Sequence, residues 1–356
     1  MLGYFRDCLW TRGLALGAKY SAFLFLPVCF AVLILIVRQR GEKKKFRWSI
    51  LHSIVFLVTS VLVVWAIYRF SIGRLDSIKV RDFSFGGFPK WLGRLFVPAP
   101  EFVAGFLTAH HKVNVGHGDY FFGKMPLGGA LLFFPVVLAV KTPIPILIAV
   151  CVGAFHAMFE TRKHAIGLLS LAIAAAMLFC VMPTTVNIGV RHVLPIIPFM
   201  SIIAGIGLMN IVLRVRKRHK WHPYFAMPFV GCLWLVIESC LIHPHTISYF
   251  NFLAGGKPEY VVIDSDLDWG QGIFELQRAC KRLRIECLQT EYFGTADLNM
   301  HSLPPPPAAD CREYWVAISV TKLYRDDSLS EYRNRFPDAT VAGGSILLYR
   351  IRLNDQ

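Results

Sequence analysis

Runs of apolar residues close to 20 long constrain this chain more than any other feature. They stand at about 14–37, 48–70, 142–159, 165–186, 193–213 and 225–243. A helix of about 20 residues spans about 30 Å, the thickness of a bilayer's hydrocarbon core. It also closes its own backbone hydrogen bonds, which lipid requires. Pro27, Pro195, Pro198 and Pro228 fall inside these runs and are tolerable in such helices. The pattern predicts an α-helical polytopic membrane protein with six transmembrane helices.

Composition agrees with that class. The 356 residues are 55% hydrophobic and 17% charged, yet carry a formal charge of +15; about 25% charged residues is usual for a soluble domain. The base is clustered. RQRGEKKKFR at 38–47 holds six basic residues, ETRKH at 160–164 two and RVRKRHK at 214–220 five. These segments separate alternate pairs of spans and so share one side, which the excess of Lys and Arg assigns to the cytoplasm. Base interleaved with apolar runs excludes a nucleic-acid partner. The expected location is the inner or plasma membrane, multi-pass. The N-terminus, a long loop at 71–141, the turn 187–192 and everything from 244 onward then face outward. The first run is not read as a signal peptide, since it is too long, carries Lys19 and ends in a basic loop. Arg6 and Arg12 precede it and oppose an outward start.

Two domains follow: a helical membrane domain over 1–243 and an extracytoplasmic α/β domain over 244–356. The loop 71–141 contains FVAGFLTAHHKVNVGHGDYFFGKM, amphipathic at its start and expected along the membrane surface. LLFFPVVLAVKTPIP has two readings. It is a surface helix broken at KTP before the third span, or a span from about residue 131 with Lys141 snorkelling. In the tail, YVVIDSD, ECLQTEYF and YWVAISV read as strands, and GIFELQRACKRLR and SLSEYRNRF as helices. PPPP reads as a rigid break, and ATVAGGSILLYRIR as a last strand or hairpin. Strands alternating with helices predict a small α/β domain. Among nine cysteines no C-x-x-C occurs. A Cys280–Cys287 or Cys287–Cys311 bridge is open if the tail meets an oxidising compartment.

The stretch VIDSDLDWGQG carries Asp264, Asp266 and Asp268, followed by Trp269, Gly270 and Gln271. Three readings stand beside one another. Asp264, Asp266, Asp268 and Glu275 fit positions 1, 3, 5 and 12 of a calcium loop, but Trp269 sits at the sixth, where glycine makes the sharp turn. Alternatively the aspartates cap a helix and pack domains, with glycine permitting the turn. The third reading is recognition of a sugar or pyrophosphate, with Trp269 on a sugar face and Asp and Gln as hydrogen-bond partners. His110, His111 and His117 are weighed as metal ligands and given no metal, and no cofactor is implied.

Several stretches, in order, resemble a known family: GLALGAKYSAFLFLPV, YFFGKMPLGGALLFFPVVLAVKTPIP, NIGVRHVLPIIPF, ISYFNFLAGG, DSDLDWGQG and YFGTAD. They are similar to bacterial lipid-carrier-dependent glycosyltransferases of the GT-C type, the group of protein O-mannosyltransferases and aminoarabinose transferases. The resemblance implies transfer of a sugar from a polyprenyl phosphate to an acceptor at the outer membrane face. Its partners would be the lipid-linked sugar, membrane lipid and an unidentified acceptor. Cations must then stabilise the leaving phosphate, and an acid must activate the acceptor hydroxyl. Lys19 with Tyr20, and Arg191 with His192, match the family's cationic span ends near the carrier phosphate. Lys141 matches its KTP lysine, with the role undecided. The family's acidic catalytic base lies in an earlier outer loop. Here only Asp7 precedes Lys19, and Asp76, Asp82, Glu101 and Asp119 are not given that role. No catalytic residue is assigned, and the chain looks like a member shortened at its N-terminus. The expected function is that transferase; the alternative is a non-catalytic membrane scaffold or carrier-lipid binder. A transporter is disfavoured because few charges lie inside the runs, Glu238 being the main exception.

Overall fold

The computed structural model describes residues 22–39, 43–78, 90–115, 120–126, 128–159, 165–185, 187–217, 226–308 and 311–352. Helices α1 (Ala22–Gln39) and α2 (Lys43–Ile67) come first. A two-stranded antiparallel ribbon of β1 (Ile72–Arg74) and β2 (Phe96–Pro98) leads to α3 (Pro100–Val115). Then follow α4 (Phe133–Lys141), α5 (Ile144–Phe159), α6 (Ala165–Val181), α7 (Ile197–Lys217) and α8 (Met227–Ile242).

The six-span expectation is corrected. Among the described residues, one helix has the length and apolar composition to cross a membrane, Leu194–Leu213. A second exists only if α4 and α5 count as one span, and these meet at 118°. Three further apolar helical segments, Leu57–Ile67 within α2, Ala165–Val181 and Pro228–Ile242, are shorter. Run length in the sequence counts apolar residues and ignores where the backbone turns. Pro143 removes an amide donor and disfavours helix at Thr142 before it, so the chain bends there. The result is a mixed α/β fold, not a GT-C-like bundle. The multi-pass membrane placement loses its basis with the spans. So do the carrier-dependent membrane transferase and its scaffold or carrier-lipid-binding alternative, which both need that architecture.

α4 is not a surface helix. Phe133, Phe134 and Val137 are fully buried and form one core with Phe25 of α1, Ile173 and Met177 of α6, and Val261 and Val262. The break at KTP stands where the first of the two readings put it. Helices α5 and α7 pack backbone to backbone. A Cβ on Gly153 would overlap the carbonyl oxygen of Ile203, and one on Gly207 the carbonyl of Ala149. Only glycine permits such an approach, which brings Cα–H groups onto facing carbonyls.

The α/β unit follows. α9 (Ile273–Leu283) lays Ile273, Leu276, Ala279 and Cys280 on one face of a four-stranded sheet. The strands are β3 (Leu288–Glu291), β4 (Glu313–Ser319), β5 (Ala339–Val341) and β6 (Ile346–Arg352), ordered β3-β4-β6-β5. β3 and β4 are parallel, and the other two pairings are antiparallel. Period-2 alternation divides the strands. Ala317, Ile346 and Leu348 face α9. Val316, Ile318 and Tyr349 face Leu323 of α10 (Val320–Arg325) and Leu329. Cys287 bonds to Cys311, tying together the starts of the parallel pair, while Cys280 is free and buried. The strand expected at YVVIDSD is absent: Pro258–Val261 is a helical turn and Asp264–Asp266 a 3-10 turn. Its apolar residues are there to be buried, and Val261 O accepts from Phe122 N instead of a ladder partner. The helix expected at SLSEYRNRF is a single turn, Ser330–Arg333.

The close α5–α7 contact makes a signed prediction. Gly153→Leu and Gly207→Leu should each cost about 3 kcal/mol or more, because backbone cannot yield to a new side chain. Gly205 lies on the same helix with nothing within 4 Å of a built Cβ. Gly205→Ala should be neutral or stabilise by up to about 1 kcal/mol. Urea midpoints check both, and a reversed order would contradict the packing.

Candidate functional site

The aspartate turn is where the helical and α/β units meet. Asp264 has a left-handed backbone at φ 64°, which Asp tolerates better than most residues. Its Oδ1 accepts from Ser265 N at 2.7 Å, and its Oδ2 pairs with Arg325 at 2.7 Å. Asp266 points the other way, into the turn 187–192. Its Oδ1 accepts from Val190 N at 2.9 Å, and Ser265 Oγ donates to Ile188 O. Between these two contacts lies Gly189 at φ 149°, where a Cβ would overlap Ser265 Oγ and sit 3.0 Å from Asp266 Oδ1. Asp268 turns to the α/β unit, accepting from Gly270 N at 3.2 Å and Thr321 N at 3.3 Å. Thr321 Oγ1 donates to Asp268 O at 3.0 Å and accepts from Asp264 N at 3.0 Å.

Gln271 braces the turn from within. Its Oε1 accepts from Trp269 N at 2.7 Å, and its Nε2 donates to Leu267 O at 3.0 Å. Ser248 Oγ lies 3.0 Å from Leu267 O and 3.3 Å from Ala342 O, linking the turn to the β5–β6 connection. Lys141 ends α4 and donates to Ile247 O at 2.7 Å and Asp266 O at 2.6 Å, with Phe250 beneath it at 4.2 Å. Asn251 closes the same helix end. Its Nδ2 donates to Ala139 O and Thr142 O, and its N to Val140 O. These carbonyls are ones a helix C-terminus leaves unpaired.

Burial sets the protonation of this joint. Asp266 is 1% exposed and Asp268 0% exposed. Desolvation pushes each carboxyl up to about 6, against hydrogen bonds that favour the charge. Desolvation also brings Lys141 down to about 8. Asp266 Oδ2 is buried with no hydrogen-bond partner.

The expected site residues therefore divide. Lys141, Asp264, Asp266, Asp268 and Gln271 come together, each engaged with backbone or a neighbouring side chain. Arg191 places its guanidinium 4.6 Å over the ring of Trp269, which is 47% exposed and meets Phe293 edge-on at 5.9 Å. His192 shares the 3-10 turn Val190–His192 with Arg191. Lys19, Tyr20 and His117 lie outside the described residues. The three carboxylates diverge to Arg325, Val190 and Thr321, which is not a calcium loop's convergence. Among the described residues, no group of three or more His, Cys, Asp or Glu side chains is placed to hold a metal ion. Glu238 accepts from Tyr249 OH at 2.7 Å. Sequence reasoning missed Thr321, Ser248 and Asn251. Ser248 and Asn251 lie in the stretch ISYFNFLAGG, which carried the resemblance without a role for either, and Thr321 is marked only as a polar residue at the end of the apolar run YWVAISV.

No family model, curated protein or solved structure matches the chain.

The buried carboxyls make a pH prediction. A carboxyl whose folded pKa exceeds its unfolded value binds more protons folded than unfolded between the two. Stability from that group then falls as pH rises through the window, here from about 4 to about 6. Asp266→Asn keeps an oxygen for Val190 N and removes the buried charge. Its stability relative to the parent should improve across that window and reach a gain on the order of 2 kcal/mol at pH 7.5. Urea unfolding at pH 4, 5, 6 and 7.5 checks it; a difference that does not change with pH would contradict the assignment.

Proposed function

We propose that the chain is a binding protein for an anionic saccharide, such as a sugar phosphate, which docks on the shelf made by Arg191 and Trp269. The observation that carries this reading is the guanidinium held over a half-exposed indole at 4.6 Å. A guanidinium offers a planar fork of donors suited to phosphate or carboxylate oxygens. An indole presents a large apolar face with defined orientation, suited to the C–H face of a sugar ring. Both residues stand on turns held by buried or half-buried side chains: Val190, beside Arg191, is held by Asp266, and Trp269 N by Gln271. Pre-organisation of this kind lowers the ordering cost of binding.

Of the partners that the sequence resemblance implies, the sugar phosphate is the part this shelf suits. The reading is of binding, not turnover, because each aspartate of the turn is engaged by the protein and Asp266 is closed to solvent.

Calorimetric titration with a hexose 1-phosphate tests it, with the free hexose and inorganic phosphate as separate arms. Arg191→Ala and Trp269→Ala should each weaken hexose phosphate binding about tenfold or more. Arg191→Lys should not restore it, since an ammonium lacks the fork. Unchanged binding in both alanine variants, with circular dichroism matching the parent, would remove the shelf from consideration.

A further inference from the structure

A separate cavity of about 460 Å³ opens between α9 and the connection from β5 to β6. Its volume lies in the range of small-molecule sites. α9 contributes Arg278 and Arg282, four residues apart and so on one helical face. Glu275 also lines it and stands 3.9 Å from Arg278, too far for a strong pair. Arg282 has no ion-pair partner among the described residues. His245 lines the cavity from the segment leaving α8. Two guanidiniums and an imidazole therefore share a space with one carboxylate.

The wall facing α9 is the end of β5 and the turn after it, Thr340 to Gly344. Ala342, Gly343 and Gly344 are three successive residues of positive φ, at 53°, 66° and 88°. Gly343 is sterically required, because a side chain there would meet His245 Cβ at 2.8 Å. Gly344 has nothing within 4 Å of a built Cβ, so the turn is bare on that side. A buried alanine in the left-handed region costs about 1 kcal/mol, and such strain concentrates at ligand clamps. Successive amides in turn conformations make concavities that hold anions.

We infer that this cavity is a phosphate-binding site, taking the phosphoryl group of a small molecule between the two arginines of α9 and the Ala342–Gly344 turn. It is distinct from the Arg191–Trp269 shelf and stands whether or not that shelf binds saccharide. Calorimetric titration of the 356-residue chain with inorganic phosphate, in the Arg191→Ala background, isolates it. One saturable site is expected there. Arg282→Gln should weaken it about tenfold, and Arg278→Gln with Arg282→Gln further still. Lys281→Gln, an equal charge change on the same helix away from this cavity, should leave it intact. Acetate should bind more weakly than phosphate. Four results would overturn the inference: no saturable phosphate site, binding unmoved by the paired arginine substitutions, an equal loss in Lys281→Gln, or acetate binding as well as phosphate.

Discussion

The joint between the two units depends on one turn whose carboxylates point in different directions. Asp264 engages Arg325, Asp266 reaches Val190 on the helical side, and Asp268 reaches Thr321 on the sheet side. Buried charge is costly unless it is paired or hydrogen-bonded. Each carboxylate therefore makes sense only when its partner is in place. A buried polar contact specifies register more sharply than an apolar one, since a slip leaves it unsatisfied. The apolar core joining Phe133, Met177 and Val262 supplies cohesion, while the turn fixes how the pieces meet.

That arrangement has a consequence for protonation. The same desolvation that makes the contacts specific raises Asp266 and Asp268 to about 6 and lowers Lys141 to about 8. Perturbed groups often mark functional sites, but structural networks perturb them too. Here Lys141 is turned to two backbone carbonyls and the aspartates to amides and Arg325. Their neighbours Arg191 and Trp269 stack on one another, and the indole is half-exposed. The turn's contacts to Val190 N, Trp269 N and Leu267 O fix the backbone beside both.

Much of the α/β unit was legible in the sequence because its periods are local. GIFELQRACKRLR repeats its apolar residues at helical spacing, and YWVAISV and ILLYRIR alternate, as α9, β4 and β6 do. In the helical region the apolar runs located helices, but their reading as membrane spans did not hold. The break at KTP was among the open readings, but summed hydrophobicity cannot see its angle of 118°, nor that the apolar residues 261–263 are buried in turns. The motif DSDLDWGQG identified the joint, and domain packing was among its open readings. Its partners were out of reach, since Val190 and Thr321 lie 76 and 53 residues from the aspartates they serve. Nothing periodic marks either one.

Residue-resolved amide hydrogen exchange at Val190 and Thr321 tests the joint most directly. Both amides end on carboxylates of one buried turn, so they are expected to share one slow exchange rate. Val190 exchanging as fast as an exposed loop, while Thr321 stays protected, would show that the turn does not hold the two units together.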